Sequence, residues 1–297
     1  MNTVILSKSP YIYSTNALEK ALKLEGINVT VINPLECNAG RYIDNYIVTF
    51  KGKTLENIDF VIPRIGSASH YYGIYILEIL EKAGIKTLNT SQNLLKSRDK
   101  YQVYNTLLNN NLPIPESFLV KTSEGIEKLV EKLNGFPVIA KLTRGSQGKG
   151  IMIADSLNAL NGIIDTISLL GEDLIIQEYF ETTPEYSDIR VYILDNKIIG
   201  SARRQNLIDF RSNTHCGGYI QQIEIDNTIS ELALRANNCF NLSFCCIDFL
   251  ITNEGPKILE LNSTPGFEKA EKQALIPLSK YVSQYVKKQL CLTGTTI

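Results

Sequence analysis

The chain has 297 residues, a formal net charge of −1 and 44% hydrophobic residues, enough for two or three domains with a buried core and without the basic field that nucleic acid or an anionic membrane would require. Its apolar runs are too short to span a bilayer, its six cysteines show no C-x-x-C spacing, and its two histidines, His70 and His215, come without a G-x-S-x-G motif. Zinc, a disulfide framework and hydrolase triads are therefore set aside, and a soluble, cytoplasmic protein with no nucleic-acid or membrane partner is expected.

The N-terminal Met-Asn-Thr-Val-Ile-Leu-Ser reads as a first strand with no Arg-rich or apolar leader. A helical pattern over 14–24, Gly26 and a strand over 28–32 follow, a βαβ rhythm that implies a parallel sheet with its functional edge at the strand C-termini. Residues 51–62 add one or two strands ending in Pro63-Arg64-Ile65-Gly66, a strand-end loop where Arg64 is either a carboxylate or phosphate fork or simply a solvated charge. A helix over 74–83 and a strand near 86–88 close a first domain, residues 1–95.

Ser97 reads as the N-cap of a helix running to about 108, and Pro113 and Pro115 break the chain beyond it. A strand over 118–120 follows, then a helix over 123–133 capped by Thr122 or Ser123, and a strand over 136–142 carrying Lys141 as a nearly isolated charge. The loop Thr143-Arg144-Gly145-Ser146-Gln147-Gly148-Lys149-Gly150 combines backbone freedom with two cations between two strands. It is not a Walker A loop, because Gly follows Lys149 and a strand, 151–154, follows the loop; alone it equally fits a plain hairpin loop. A helix over 156–170 and a strand over 174–180 complete this unit, residues 96–180.

The third unit, 181–297, opens with strands over 188–194 and 197–204 joined by Asp195-Asn196. Four of the chain's nine arginines, Arg190, Arg203, Arg204 and Arg211, cluster here, which suits an anion held between guanidinium groups and a metal, although solvated strand faces would give the same count. After a helix over 228–239, apolar runs over 244–251 and 257–261 flank Asn253-Glu254-Gly255-Pro256 and read as a β-hairpin. Asp248 lies on its first arm, and Glu260 and Asn262, two apart, share one face of its second. Three converging oxygen-bearing side chains suit Mg²⁺; acids on a surface hairpin are the alternative. A helix over 275–290 covers the hairpin.

Ser97-Arg98-Asp99-Lys100, the Lys141 strand and its glycine loop, Gln177-Glu178-Tyr179, Asp188-Ile189-Arg190, the stretch 209–215, Asp248 and Glu260-Leu261-Asn262-Ser263-Thr264-Pro265-Gly266 together resemble the ATP-grasp ligases over nearly the whole chain. Among these, the chain resembles the RimK-type enzymes, which add glutamate to the C-terminus of a ribosomal protein. The resemblance implies an α/β ATP-grasp fold: an N-terminal parallel-sheet domain, a central lid subdomain and a C-terminal antiparallel-sheet subdomain. It implies ATP phosphates on Lys100 and Lys141 beneath Gly145, Ser146, Gln147 and Gly148. Adenine would lie against Gln177, Glu178, Tyr179 and Phe180, largely through the backbone, and the ribose on Asp188. Two Mg²⁺ or Mn²⁺ ions would be held by Asp248, Glu260 and Asn262, and Arg211, Ser212 and Asn213 would face the nucleotide, with Arg211 and Asn213 at the transferred phosphate and the acyl group. Arg64, Arg190, Arg203 and Arg204 are further candidates for substrate. The implied partners are an amino acid, glutamate first, and a protein or peptide C-terminal carboxylate; the implied assembly is a homo-tetramer.

Cys216 stands where a basic residue commonly follows the His, Thr264 replaces a usual Ser, and residues 267–272 lack the expected glycine spacing. All three departures lie where substrates other than ATP would bind. A small-molecule or natural-product peptide acceptor, and an ATP-binding regulator without turnover, therefore stand beside the first reading.

Overall fold

The computed structural model describes residues 1–66, 69–145, 150–181, 188–205 and 219–293. The first 96 residues run β1 (Asn2–Ser7), α1 (Tyr13–Leu24), β2 (Asn28–Ile32), β3 (Cys37–Tyr42), β4 (Asn45–Phe50), β5 (Lys53–Thr54), β6 (Phe60–Arg64), α2 (His70–Lys82), β7 (Lys86–Thr87) and α3 (Ser91–Lys96). Strands β2, β1, β6 and β7 form a parallel sheet in that order. β1 is apolar at three successive positions, Val4, Ile5 and Leu6, because both faces of such a sheet are covered. β5 and β6 are the one or two strands expected over 51–62, whereas β3 and β4, which pair with β5 in an antiparallel sheet β3-β4-β5, go beyond that expectation. Asn38, Ala39, Gly40 and Arg41 are exposed and poor strand formers, so no apolar alternation marks β3.

The middle of the chain runs α4 (Lys100–Asn109), β8 (Ser117–Val120), α5 (Ile126–Lys132), β9 (Val138–Leu142), β10 (Ile151–Ala154), α6 (Leu157–Leu169) and β11 (Leu174–Glu178). Its four strands form an antiparallel sheet, β10-β9-β11-β8, with a core of its own that includes Val130, Val138, Ala140, Leu160, Ile164 and Ile176. Two helix starts differ from the sequence reading. Ser97 ends α3 and donates its hydroxyl back to Leu94 O, while Asp99 caps α4 by accepting from the Tyr101 and Gln102 N–H groups at 2.9 and 3.0 Å. A carboxylate meets two free N–H groups and the positive helix end at once, which a hydroxyl does less well. α5 begins behind Gly125, in the left-handed region at φ 70°, rather than at Ser123.

The remainder runs β12 (Asp188–Leu194), β13 (Lys197–Gln205), β14 (Tyr219–Gln222), α7 (Asn227–Phe240), β15 (Phe244–Thr252), β16 (Gly255–Asn262), α8 (Glu268–Lys272) and α9 (Leu278–Thr293). The antiparallel sheet β14-β13-β12-β15-β16 packs Val191, Ile247 and Phe249 into one core with Ala233 and Ala236 of α7. Tyr192, Phe244 and Cys246 join a second core with Ile5, Leu18 and Phe60 of the first domain and Leu278 and Val282 of α9. The parallel sheet and the last sheet thus share apolar packing, while the central sheet is built around separate packing. Among the described residues, no helix is long and apolar enough to cross a membrane.

Candidate active site

The hairpin β15–β16 sets the polar geometry. Its register pairs Asp248 with Glu260 and Cys246 with Asn262, with an irregularity just after Asp248. Residues paired across antiparallel strands lie on the same face, so Asp248, Glu260 and Asn262 come together. β12 pairs Arg190 with Asp248, and β13 pairs Arg204 with Asp188.

Asp248 is buried at 2% exposure and accepts hydrogen bonds from Arg190 Nε at 2.7 Å, Arg190 Nη2 at 2.6 Å and Arg204 Nη2 at 2.7 Å. Burial works against its charge, but the two guanidinium groups outweigh it and hold the carboxyl below its ordinary range. Arg204 also clasps Asp188 through Nε and Nη2. Asp188, expected at a ribose, lies in this buried cluster beside its cross-strand partner. Arg190 and Arg204, expected at substrate, are engaged by acids. Arg203 sits one residue out of phase with Arg204, in register with Ile189 and Gln221, which places it on the opposite face from Asp248; its Nε is buried without a hydrogen-bond partner.

Glu260 is more open. Its side chain is 36% exposed, with Lys100 Nζ 3.8 Å from Oε1. Asn262 Nδ2 is buried with no hydrogen-bond partner. Rotating that amide by half a turn presents its oxygen at the same place, beside two carboxylates. An all-oxygen set of this kind fits a hard divalent cation, so the residues present suit Mg²⁺. Among the described residues, no three His, Cys, Asp or Glu side chains converge as a metal cluster, so the amide is needed to complete the trio.

The central sheet and α4 supply the facing cations. Lys141, on β9, donates from Nζ to Gln177 Oε1, and Gln177 Nε2 donates to Ser117 Oγ at 2.8 Å. Burial lowers the Lys141 pKa to about 8, while Glu260 and Asp188 favour its charge and Lys100 opposes it. Lys141 therefore lies in the field of acids from the other sheet. Lys100 opens α4, donates from Nζ to Gly145 O at 2.8 Å and ties its own N–H to Thr143 O. The base of the glycine loop is anchored by the same lysine that approaches Glu260.

Gln177 and Glu178 remain inside the sheet, paired with Ile139 and Val138 of β9, so Tyr179 and Phe180 alone of the expected adenine segment lie beyond the strand. Lys257 Nζ is 5.7 Å from the Phe180 ring centre. Ser146, Gln147, Gly148, Arg211, Ser212 and Asn213, together with Cys216, lie outside the described residues.

Two positioning residues are given no role by the sequence reading, in which Arg98 stands only within its motif. Asn89, buried at 3% exposure, donates from Nδ2 to Phe244 O at 2.7 Å and Ser263 O at 2.9 Å, and accepts from Phe244 N–H at 3.1 Å. It binds the start of β15 to the end of β16. Arg98 donates from Nη2 to Ile65 O and to Thr264 Oγ1, so Thr264 keeps the hydroxyl of the serine it replaces, and residues 268–272 form α8. A lone asparagine after a strand carries no periodic signal; its role exists only once the two regions meet.

Paired carboxylates with an amide, opposed by Lys141 on a second sheet and Lys100 at the start of α4, can hold a nucleotide polyphosphate together with a divalent cation. Known proteins agree. Residues 1–94 match the RimK PreATP-grasp domain and residues 97–286 the RimK-like ATP-grasp domain. A curated relative from Maridesulfovibrio salexigens, named a probable alpha-L-glutamate ligase, is 34% identical over 97% of this chain and 96% of its own length. Solved structures of the ATP-grasp ligase PsnB share the fold. One, complexed with a minimal precursor, has a TM-score of 0.77 at 19% identity, covering 97% of this chain and 98% of that one. Another, with a phosphomimetic variant of that precursor, Mg and ADP, has a TM-score of 0.76 at 19% identity and the same coverage. The chain belongs to the RimK-like ATP-grasp family and is an ATP-using ligase.

Proposed function

We propose that this ligase joins the amine of L-glutamate to the C-terminal carboxylate of a protein or peptide, using ATP to activate the acceptor. The observation that carries the chemistry is the position of Lys141: a buried cation on the central sheet in the electrostatic reach of Glu260 and Asp188 on the other. Glutamate as the amino acid rests on the name borne by the 34% identical relative.

In this reading, residues 1–95, 96–180 and 181–297 act as N-terminal domain, lid subdomain and metal-bearing subdomain. Lys100 and Lys141 hold the phosphates, Tyr179 and Phe180 line the base, and Asp248, Glu260 and Asn262 hold two Mg²⁺ or Mn²⁺ ions. Bound metal neutralises phosphate charge. The acceptor's carboxylate oxygen attacks the γ-phosphorus as the bond to ADP breaks, giving an acyl phosphate. The amine then attacks the acyl carbon, phosphate leaves with the bonding pair, and the amine loses its proton to complete the amide. Arg211 and Asn213 face the transferred phosphoryl and acyl groups. The glycine loop, based at Gly145 on Lys100, shields the acyl phosphate from water. A homo-tetramer in the cytoplasm is the assembly proposed, to be checked by light scattering.

A peptide from natural-product biosynthesis is the second acceptor class, favoured by the fold shared with PsnB, which is solved with a precursor. The test is ADP release with Mg²⁺ and ATP across single amino acids, with and without peptides ending in free carboxylates, and products weighed by mass spectrometry. A glutamate-extended peptide is expected. ADP release that ignores glutamate refutes the assignment. Glu260→Ala is expected to abolish turnover while nucleotide binding persists, since charge neutralisation matters most in the transition state.

A further inference from the structure

Arg64 is given no task by the reaction above, yet it is a costly residue. It ends β6, at the C-terminal edge of the parallel sheet where ligands of α/β sheets commonly lie. Both of its hydrogen bonds leave from Nη2, to Ser14 Oγ at 2.9 Å and Pro265 O at 2.8 Å, and its Nε is buried without a partner. No ion pair joins it to a described carboxylate. Burial, then the neighbouring Arg98 guanidinium, lower its pKa to about 10. The first turn of α1, which carries Ser14, has neither a side-chain cap nor an acidic residue, so its positive end is uncompensated on the same side. A desolvated guanidinium without an acid is expensive, and its fork matches a carboxylate.

We propose that Arg64, with Ser14 and the start of α1, binds a carboxylate of the free amino-acid substrate that takes no part in the reaction. The inference rests on the ligase reading above. One feature selects the amino acid over the acceptor. The acceptor's terminal carboxylate is consumed at the phosphate, whereas glutamate brings two carboxylates that do not react. Arg64 lies beside Phe267, whose ring centre is 5.4 Å from Cζ, and donates to Pro265 O, next to the residues 267–272 where the sequence departs from the resembling enzymes.

The experiment compares L-glutamate, L-isoglutamine and L-glutamine as amine substrates for the wild type and for Arg64→Met. Replacing the carboxylate on Arg64 by a carboxamide should cost the wild type about 30-fold or more in kcat/KM, and Arg64→Met should shrink that preference to about threefold or less. Loss of the preference against isoglutamine places the α-carboxylate there, and against glutamine the γ-carboxylate. Survival of both preferences in the variant overturns the proposal. Glutarate titrated calorimetrically into the full chain gives a readout independent of turnover: binding by the wild type that Arg64→Met loses supports the site, and no binding by the wild type overturns it. An inactive wild type that still binds glutarate through Arg64 would fault the reaction rather than the site. Should Arg64→Met not fold, Arg64→Lys keeps the charge without the fork, and a reduced preference is expected there too.

Discussion

Asp248 and Glu260 face each other across one hairpin and are proposed to share a metal, yet the structure gives them different energetic standing. Asp248 is the acid shared by two buried arginines, one of which, Arg204, keeps Asp188 if Asp248 is neutralised. Asp248→Asn therefore strands mainly Arg190. Removing one partner of a buried pair costs about 3–5 kcal/mol, and the residual amide oxygen places this case near about 3 kcal/mol. With an unfolding entropy of about 2.1 cal/mol/K per residue, the 297-residue chain should lose about 5 °C in Tm. Glu260→Gln removes only a partner 3.8 Å from Lys100 on a side chain 36% exposed, worth less than about 1 kcal/mol and under about 2 °C. Both variants should lose turnover. Thermal unfolding by circular dichroism, run beside ADP release, separates the effects. Equal Tm shifts in the two variants, or none for Asp248→Asn, would refute the argument that the arginine cluster depends on Asp248.

Lys141 predicts a pH dependence. Its folded pKa of about 8 lies below the about 10.4 of an unfolded lysine, so between these values the unfolded chain holds the proton that the folded chain has released, and stability rises with pH. ATP affinity should move the opposite way, weakening about tenfold from pH 7 to pH 10 by calorimetry, with bound phosphates shifting the limb upward; Lys141→Met should show weaker binding and no such limb. Asn89→Ala removes three buried hydrogen bonds and should cost about 2–3 kcal/mol in urea unfolding; a loss below about 0.5 kcal/mol would contradict its tying role. Chelation by EDTA should abolish ADP release, Mg²⁺ or Mn²⁺ should restore it, and Glu260→Gln should raise the metal concentration needed by tenfold or more for any residual activity.

Local information in the chain was sufficient for much of this architecture. The βαβ opening, the hairpin over 244–262 and the Asp248, Glu260 and Asn262 face follow from side-chain alternation and turn residues, which depend on neighbours two to four positions away. Lys141 stood out as a charge within an apolar strand for the same reason. The exposed β3 strand left no apolar trace, and Asp99 rather than Ser97 capped α4 because helix breaks depend on where the preceding helix stops. Tertiary structure alone decided which acid each arginine meets: Arg190 and Arg204 lie 58 and 44 residues before Asp248 and reach it through strand register. It alone also brought Asn89 to Phe244 and Ser263, and Arg64 to Ser14 and Pro265. Such pairs are set by how sheets register and stack, and the energy that fixes them, the desolvation of charge and amide, has no value until burial has occurred.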